Sequence, residues 1–184
     1  MAAPAGAWAA ELLQVWFLRL SPAEWFGGGE EVDGLLRRRF SGTLEMLRHA
    51  RPHAFVSEPR TALAAVLLFD QVPRNLHRGA PAAFSTDPLA RWIARCAIAR
   101  GWDRRLPIRE RQFLYMPLMH SEAITDQLAS LACFRRLGMP SSLAFARAHM
   151  RMIARFGRFP HRNPALGRPS TPAEERAVAA GFSW

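Results

Sequence analysis

Two polar segments of this chain present functional groups in the same order. Residues 70–87 read DQVPRNLHRGAPAAFSTD, and residues 155–174 read RFGRFPHRNPALGRPSTPAE. Each has proline, then Arg-Asn, then glycine beside arginine, then Ser-Thr and an acidic residue. Because guanidinium groups bind carboxylates and phosphates through paired hydrogen bonds, two such segments that meet in space would form one cationic site. We therefore predict a polar pocket for an anionic small molecule or for an acidic segment of a partner protein.

The first candidate group is Asp70, Gln71, Arg74 and Asn75. Asp70 and Gln71 end a strongly apolar stretch of the sequence. A buried carboxylate is costly without a cationic partner, so we expect an arginine from residues 155–162 to pair with Asp70. Two interpretations remain open, a salt-bridge network that holds the loop together and the wall of a binding pocket.

The second group is His120, Glu122 and Asp126. A helix that begins near residue 118 would place Glu122 and Asp126 on one face. A histidine with two carboxylates can bind a divalent metal or form an acid–base pair. The spacing matches no HExxH, ExxH or calcium-loop motif, so we predict no metal. Instead, Ser121 and Glu122 are expected to cap the helix and Asp126 to pair with an arginine.

The third group comprises Arg155, Arg158, His161, Arg162 and Asn163. Phe156 and Phe159 alternate with its arginines, a pattern that suits stacking on a nucleotide or on RNA. It equally suits a core in which the rings are buried and the arginine stems cover them.

The composition and motifs indicate which classes of partner to expect. The net charge is +10, from 25 Lys+Arg against 15 Asp+Glu, and every one of those cations is arginine. Such basicity permits nucleic-acid binding, but the arginines are scattered and no recognition motif accompanies them. We predict no nucleic-acid partner. The absence of a phosphate-binding loop and of a dinucleotide-binding glycine pattern leads us to predict no cofactor.

Other features bear on location and assembly. Cys96 and Cys133 lie in apolar helical patterns, which is typical of small buried residues in a reducing compartment. The apolar N-terminal run lacks a basic start and contains Glu11, so we interpret it as a core helix. No stretch reaches the length of a membrane span. We therefore expect a cytoplasmic protein. Tryptophans near the ends of the chain suggest a homodimer interface; these are Trp8, Trp16, Trp25 and Trp184.

Helix signals position these residues. Ser21-Pro22-Ala23-Glu24 and Thr171-Pro172-Ala173-Glu174 are capping boxes with proline at the first helical position. Residues 60–71 are nearly all apolar and predict a buried central helix. Pro117 is expected to break or kink the helical span 108–137, with a short helix before it and a longer one after it. The predicted linkers are 27–29, 51–59, 72–87, 102–107 and 158–171. These signals predict one all-α domain, residues 1–184, of stacked antiparallel helical hairpins.

The polar segments also resemble a known family, the bacterial domain-of-unknown-function family numbered 924. The resemblance rests on LFDQVPRNLHRG, FSTD, FLYMPLMHSE, Asp126-Gln127 and IARFGRFPHRNPALGRPST, which together cover most of the chain from residue 60 onward. It implies a tetratricopeptide-like arrangement, an α–α superhelix, but no mechanism. The motif residues that it carries over are Asp70, Gln71, Arg74, Asn75, His120, Ser121, Glu122, Asp126, Arg158, His161, Arg162 and Asn163.

The sequence is compatible with three functions. The first is a small-ligand site in which arginines hold a phosphate or carboxylate. The second is a tetratricopeptide-like scaffold whose groove binds a peptide. The third is an enzyme in which His120 or His161 acts as acid or base with Asp70 or Glu122.

Overall fold

The computed structural model describes residues 6–181, and all regular secondary structure in this range is helical. The α-helices are α1 (Ala7–Gln14), α2 (Pro22–Gly27), α3 (Glu30–Leu47), α4 (Pro59–Val66), α5 (Val72–Leu76), α6 (Asp87–Ala99), α7 (Ile108–Met119), α8 (Ile124–Leu137), α9 (Pro140–Phe156) and α10 (Pro172–Ala179). Wider π-helical turns, Val15–Arg19 and Leu67–Gln71, extend α1 and α4. The predicted all-α class is confirmed.

Both predicted capping boxes are present. The Ser21 hydroxyl accepts the Glu24 N–H at 3.4 Å, and the Glu24 carboxylate accepts the Ser21 N–H at 2.7 Å. Thr171 and Glu174 make the same exchange at 3.3 Å and 2.7 Å. Each exchange satisfies two backbone donors that the first helical turn leaves without partners, so α2 and α10 begin where the local sequence specifies.

The centre of the molecule is the helical stretch formed by α4 and its π-helical turn. Every residue from Ala62 to Phe69 has an exposed fraction of 0%. This stretch packs on α1, α6 and α7, and its alanines allow the neighbouring helices to approach closely. The prediction of a buried helix over 60–71 is therefore confirmed. Because Asp70 and Gln71 continue this stretch, their polar groups lie at the edge of the core.

The helix break near Pro117 differs from the prediction. Helix α7 runs through Pro117 to Met119, and the His120 N–H closes its last turn on the Met116 carbonyl at 2.9 Å. The residues of α7 from Phe113 to Met119 are all buried, so tertiary packing compensates for the hydrogen bond that proline cannot donate. The break instead spans 120–123.

Consecutive helices α7, α8 and α9 pack against one another, as helices of stacked hairpins do. The tetratricopeptide-like arrangement of the whole chain stays a prediction. The predicted linker 72–87 is helical at its start, because α5 continues directly from Gln71.

The tryptophans do not support the expected homodimer interface. Trp16 and Trp25 are 1% and 7% exposed and belong to the hydrophobic core, with Trp8 packed against it. Trp184 lies outside the described residues. The homodimer therefore stays a prediction that these two buried side chains do not support.

Candidate functional site

Asp70 is the most deeply buried acidic residue of the site, with an exposed fraction of 0%. Its carboxylate lies 2.8 Å and 3.0 Å from Nδ1 of His120 and 3.2 Å from Nη1 of Arg74. Burial alone would raise the pKa of Asp70, but Arg74 and His120 outweigh it and hold that pKa far below its usual range. The expected arginine partner of Asp70 is present, but it is Arg74, at helical spacing along the same stretch, rather than an arginine from residues 155–162.

Arg74 links Asp70 to a carboxylate that the sequence analysis did not assign to the site. Its guanidinium donates two parallel hydrogen bonds to Asp87, at 2.8 Å and 2.9 Å, and also reaches the Asp70 carbonyl. The Arg74 guanidinium lies over the Phe84 ring, 5.6 Å from its centroid. Asp87 is the acidic residue that ends the first polar segment, and this place in the repeated order could have identified it as a site residue.

Arg162, in the second polar segment, also approaches Asp87 and the Phe84 ring. It is 7% exposed, and its guanidinium lies 4.7 Å and 4.6 Å from the ring centroids of Phe84 and Phe159. Its Nη1 is 3.6 Å from Asp87, and its Nε makes no hydrogen bond. Burial, and then the nearby positive charge of Arg74, lower the pKa of Arg162 to about 10. The carboxylates of Asp87, Glu122 and Asp70 oppose this lowering only in part, so Arg162 is a buried cation that its charged neighbours compensate incompletely.

The contacts among these residues form a closed ring. Arg162 meets Asp87, which binds Arg74, which contacts Asp70. On the other side, the His120 ring lies 6.2 Å from His149, and His149 lies 5.4 Å from Phe159, measured between ring centroids. We call this closed chain of contacts the polar circuit; its members are Asp70, Arg74, Asp87, His120, His149, Phe159 and Arg162.

The pKa values of the histidines around the polar circuit are lowered, which favours their neutral forms. Burial, and then the neighbouring His120, lower the pKa of His149 to about 3. Burial, and then Arg162, lower the pKa of His161 to about 4. Burial also lowers the pKa of His120, although the Asp70 carboxylate opposes this. The positive charge of the circuit therefore resides on its arginines.

Glu122 lies just before α8 and binds residues of the second polar segment. Its carboxylate accepts the Phe159 N–H at 2.7 Å and two hydrogen bonds from Arg168 at 2.8 Å and 3.0 Å. The prediction that Glu122 and Asp126 share a helix face was wrong, because α8 begins only at Ile124 and Glu122 precedes it. Arg168 was missed, although it is the arginine beside glycine in the repeated pattern.

The asparagines of the two segments have local roles and different partners. Asn75 Oδ1 accepts a hydrogen bond from Arg78, and Asn163 Oδ1 accepts one from Arg168, both at 2.9 Å. The adjacent glycines adopt the left-handed conformation in both cases, with φ of +73° at Gly79 and +63° at Gly167. The repeated order of residues thus corresponds to a repeated contact, in which asparagine holds the arginine beside the glycine.

Asp126 and Arg158 lie outside the polar circuit. Asp126 accepts hydrogen bonds from Arg95 and, at 2.6 Å, from Ser121, which confirms its pairing with an arginine. Arg158 pairs with Glu174 at 2.6 Å and so joins the capping box of α10. Of the first group, Gln71 donates to Asp70 at 2.5 Å and Asn75 donates to the Gln71 carbonyl.

Three further properties concern residues 6–181. No three histidine, cysteine, aspartate or glutamate side chains in this range are arranged as metal ligands. Cys96 is half-buried and Cys133 buried, and both are free thiols. Helices long and apolar enough to cross a bilayer do not occur in this part of the chain.

Comparisons with known proteins give a family for the chain. The model of a family described as a bacterial protein of unknown function, DUF924, matches residues 12–181. The chain is also similar to the solved structure of a protein of unknown function from Agrobacterium tumefaciens, with 34% sequence identity and a TM-score of 0.91. That similarity covers 97% of this chain and 100% of the other. No curated protein matches. The chain therefore belongs to the bacterial family of unknown function DUF924.

Proposed function

We propose that this protein binds a small anion at Arg162. The observation that carries the proposal is the state of the Arg162 guanidinium, which is buried between two phenylalanine rings, with Nε lacking a hydrogen bond and the Asp87 carboxylate 3.6 Å from Nη1. Removing a charged group from water costs several kcal/mol unless close partners replace the water. A bound anion would supply those partners.

The neighbouring carboxylate does not fill this need. Both oxygens of Asp87 already accept close hydrogen bonds from Arg74, at 2.8 Å and 2.9 Å. Charge-assisted hydrogen bonds to a carboxylate are typically ~2.7–2.9 Å, so the 3.6 Å approach of Arg162 is too long to be one. Arg162 therefore keeps donor capacity for a second acceptor.

The geometry also limits the class of ligand. A planar guanidinium matches the paired oxygens of a carboxylate or a phosphate. Because Arg162 is 7% exposed, the group that reaches it must be small. We therefore favour a small phosphorylated or carboxylated molecule over an acidic protein segment as the ligand.

Thermal unfolding of the full chain tests the proposal. Sodium orthophosphate, adenosine monophosphate and succinate are each compared with sodium chloride at equal ionic strength. A ligand at one hundred times its Kd stabilises the folded state by ~2.7 kcal/mol, which raises Tm by ~2–4 °C per kcal/mol in a chain of this size. We expect at least one of the three anions to raise Tm.

The matched control is a second arginine that lies over a phenylalanine ring. Arg155 is exposed and lies 4.9 Å from the Phe156 centroid. The variant Arg155→Met should respond to the anion as the wild type does, whereas Arg162→Met should lose the response. An absence of any shift with all three anions, or an equal response of both variants, would overturn the proposal.

A further inference from the structure

The His120 imidazole has a defined tautomer. Nδ1 lies 2.8 Å and 3.0 Å from the two Asp70 oxygens. An ionised carboxylate accepts hydrogen bonds and cannot donate them, so Nδ1 carries the proton and Nε2 carries the lone pair. Asp70 is itself held by Arg74 and Gln71, which keeps the carboxylate in place.

His120 is also part of the polar circuit that contains Arg162. Its ring lies 6.2 Å from His149, which in turn packs on Phe159 beside the Arg162 guanidinium. The positive charges of Arg74 and Arg162 act on His120, and His120 in turn affects His149 and His161. A neutral imidazole with an available Nε2 lone pair can accept a proton from a group bound nearby.

We propose that Nε2 of His120 is the general base of this site and accepts a proton from a water or hydroxyl group beside the anion that Arg162 holds. This inference rests on the proposed function. Asp70 is then a positioning residue, which orients the imidazole and stabilises the imidazolium that forms.

The proposed step balances without a redox partner. The O–H bond breaks, the proton goes to Nε2, and the electron pair stays on the oxygen, which becomes the nucleophile. In the displacement that follows, this oxygen forms a bond to the phosphorus or carbonyl carbon of the substrate, and the bond to the leaving oxygen breaks. The proton returns from Nε2 to that leaving oxygen.

Two other candidate acid–base groups, Glu122 and His149, are less suited to the role of general base. Both Glu122 oxygens are engaged, one with Arg168 and the other with Arg168 and the Phe159 N–H. His149 Nδ1 lies 2.9 Å from the Phe145 carbonyl, a neutral group that stabilises an imidazolium less than a carboxylate does.

Histidine-labelled NMR of the full chain, with inorganic phosphate as the probe, tests the inference. In the wild type, we expect His120 to carry its proton on Nδ1 at neutral pH. Phosphate should raise the pKa of His120, because a nearby anion favours the imidazolium. By linkage, phosphate should bind about tenfold more tightly when His120 is protonated. Arg162→Met should retain the tautomer and lose the phosphate effect.

A chemical measurement complements the spectra. Diethyl pyrocarbonate acylates an unprotonated imidazole nitrogen, so bound phosphate should slow acylation of His120 by about tenfold in the wild type and leave Arg162→Met unaffected. Asp70→Asn should redistribute the His120 tautomers; if that variant does not fold, the wild-type tautomer decides the point directly.

The outcomes separate the two proposals. If phosphate binds in an Arg162-dependent manner while His120 shows neither a changed pKa nor slower acylation, the general-base inference is overturned and the anion site stands. A proton on Nε2 in the wild type overturns it equally. If orthophosphate does not bind, this inference falls, and the wider anion panel decides the proposed function.

Discussion

Arg74 and Arg162 converge on a single carboxylate, Asp87, from the two similar segments of the chain. Arg74 binds Asp87 through two hydrogen bonds of 2.8 Å and 2.9 Å, whereas Arg162 approaches it only to 3.6 Å. Both guanidinium groups lie over the Phe84 ring. Two arginines in the same sequence context therefore have different roles, since Arg74 compensates the buried Asp70 and the half-buried Asp87, whereas Arg162 retains unused donors.

This difference predicts that substitution by methionine destabilises the protein at Arg74 but not at Arg162. Arg74→Met removes a partner of the buried Asp70 and should lower the free energy of unfolding by ~3–5 kcal/mol. Arg162→Met deprives no carboxylate of its main partner and replaces a poorly compensated charge, so the free energy of unfolding should stay the same or rise by ~1 kcal/mol. Urea denaturation measures both. A loss of several kcal/mol in Arg162→Met would show that its present contacts compensate its charge.

The buried histidines predict a loss of stability in mild acid. The pKa values of His149 and His161 fall from 6.5 in the unfolded chain to about 3 and about 4 in the folded one. Above pH 6.5, neither state binds these protons. Between pH 6.5 and about 4, only the unfolded state binds them, so stability decreases as the pH falls, by ~1.4 kcal/mol per pH unit for each histidine.

Substitution of one histidine isolates this effect. His149→Gln should reduce the slope of unfolding free energy against pH by ~1.4 kcal/mol per pH unit between pH 6 and pH 5. His49→Gln, at an exposed position, is the control variant. Equal slopes in the wild type and His149→Gln would contradict the prediction.

Glu122 predicts a local change in dynamics. Glu122→Ala removes the acceptor of the Phe159 N–H and of Arg168. Hydrogen bonds to charged groups contribute ~1.5–3 kcal/mol, so amide exchange at Phe159 should accelerate by ~10–100-fold. The exposed Glu175, in α10, provides the control variant Glu175→Ala. Unchanged protection at Phe159 in Glu122→Ala would refute this role of Glu122.

The left-handed glycines of the two polar segments predict matched costs of substitution. Gly79 and Gly167 both have positive φ, and a Cβ at either position would meet no atom within 4 Å. Alanine at each should therefore lower the free energy of unfolding by the conformational penalty alone, ~1 kcal/mol. Gly42, within α3, is equally open but helical, so Gly42→Ala should raise stability by ~0.5–1 kcal/mol. Thermal unfolding of the three variants checks both signs.

Local signals accounted for much of the helical structure. The caps at Ser21 and Thr171 and the buried stretch 60–71 were predictable because each depends on residues within a turn or two of one another. Pro117 was misinterpreted because its local effect is disruptive, whereas the packing of α7 around it comes from distant helices. The tryptophans near the N-terminus likewise gave no local sign of whether they face the core or a partner.

The site combines features that the local sequence specifies with features that depend on the tertiary structure. The sequence by itself determined the helices, their caps and the residue types gathered in the two polar segments, since these follow from side-chain chemistry and short-range periodicity. Only the tertiary structure decided that Asp70 meets His120, that Asp87 joins the two segments, and that Arg162 is left with unused donors. Those pairings depend on which helices pack together, and the energy of a buried charge depends on partners far apart in the chain.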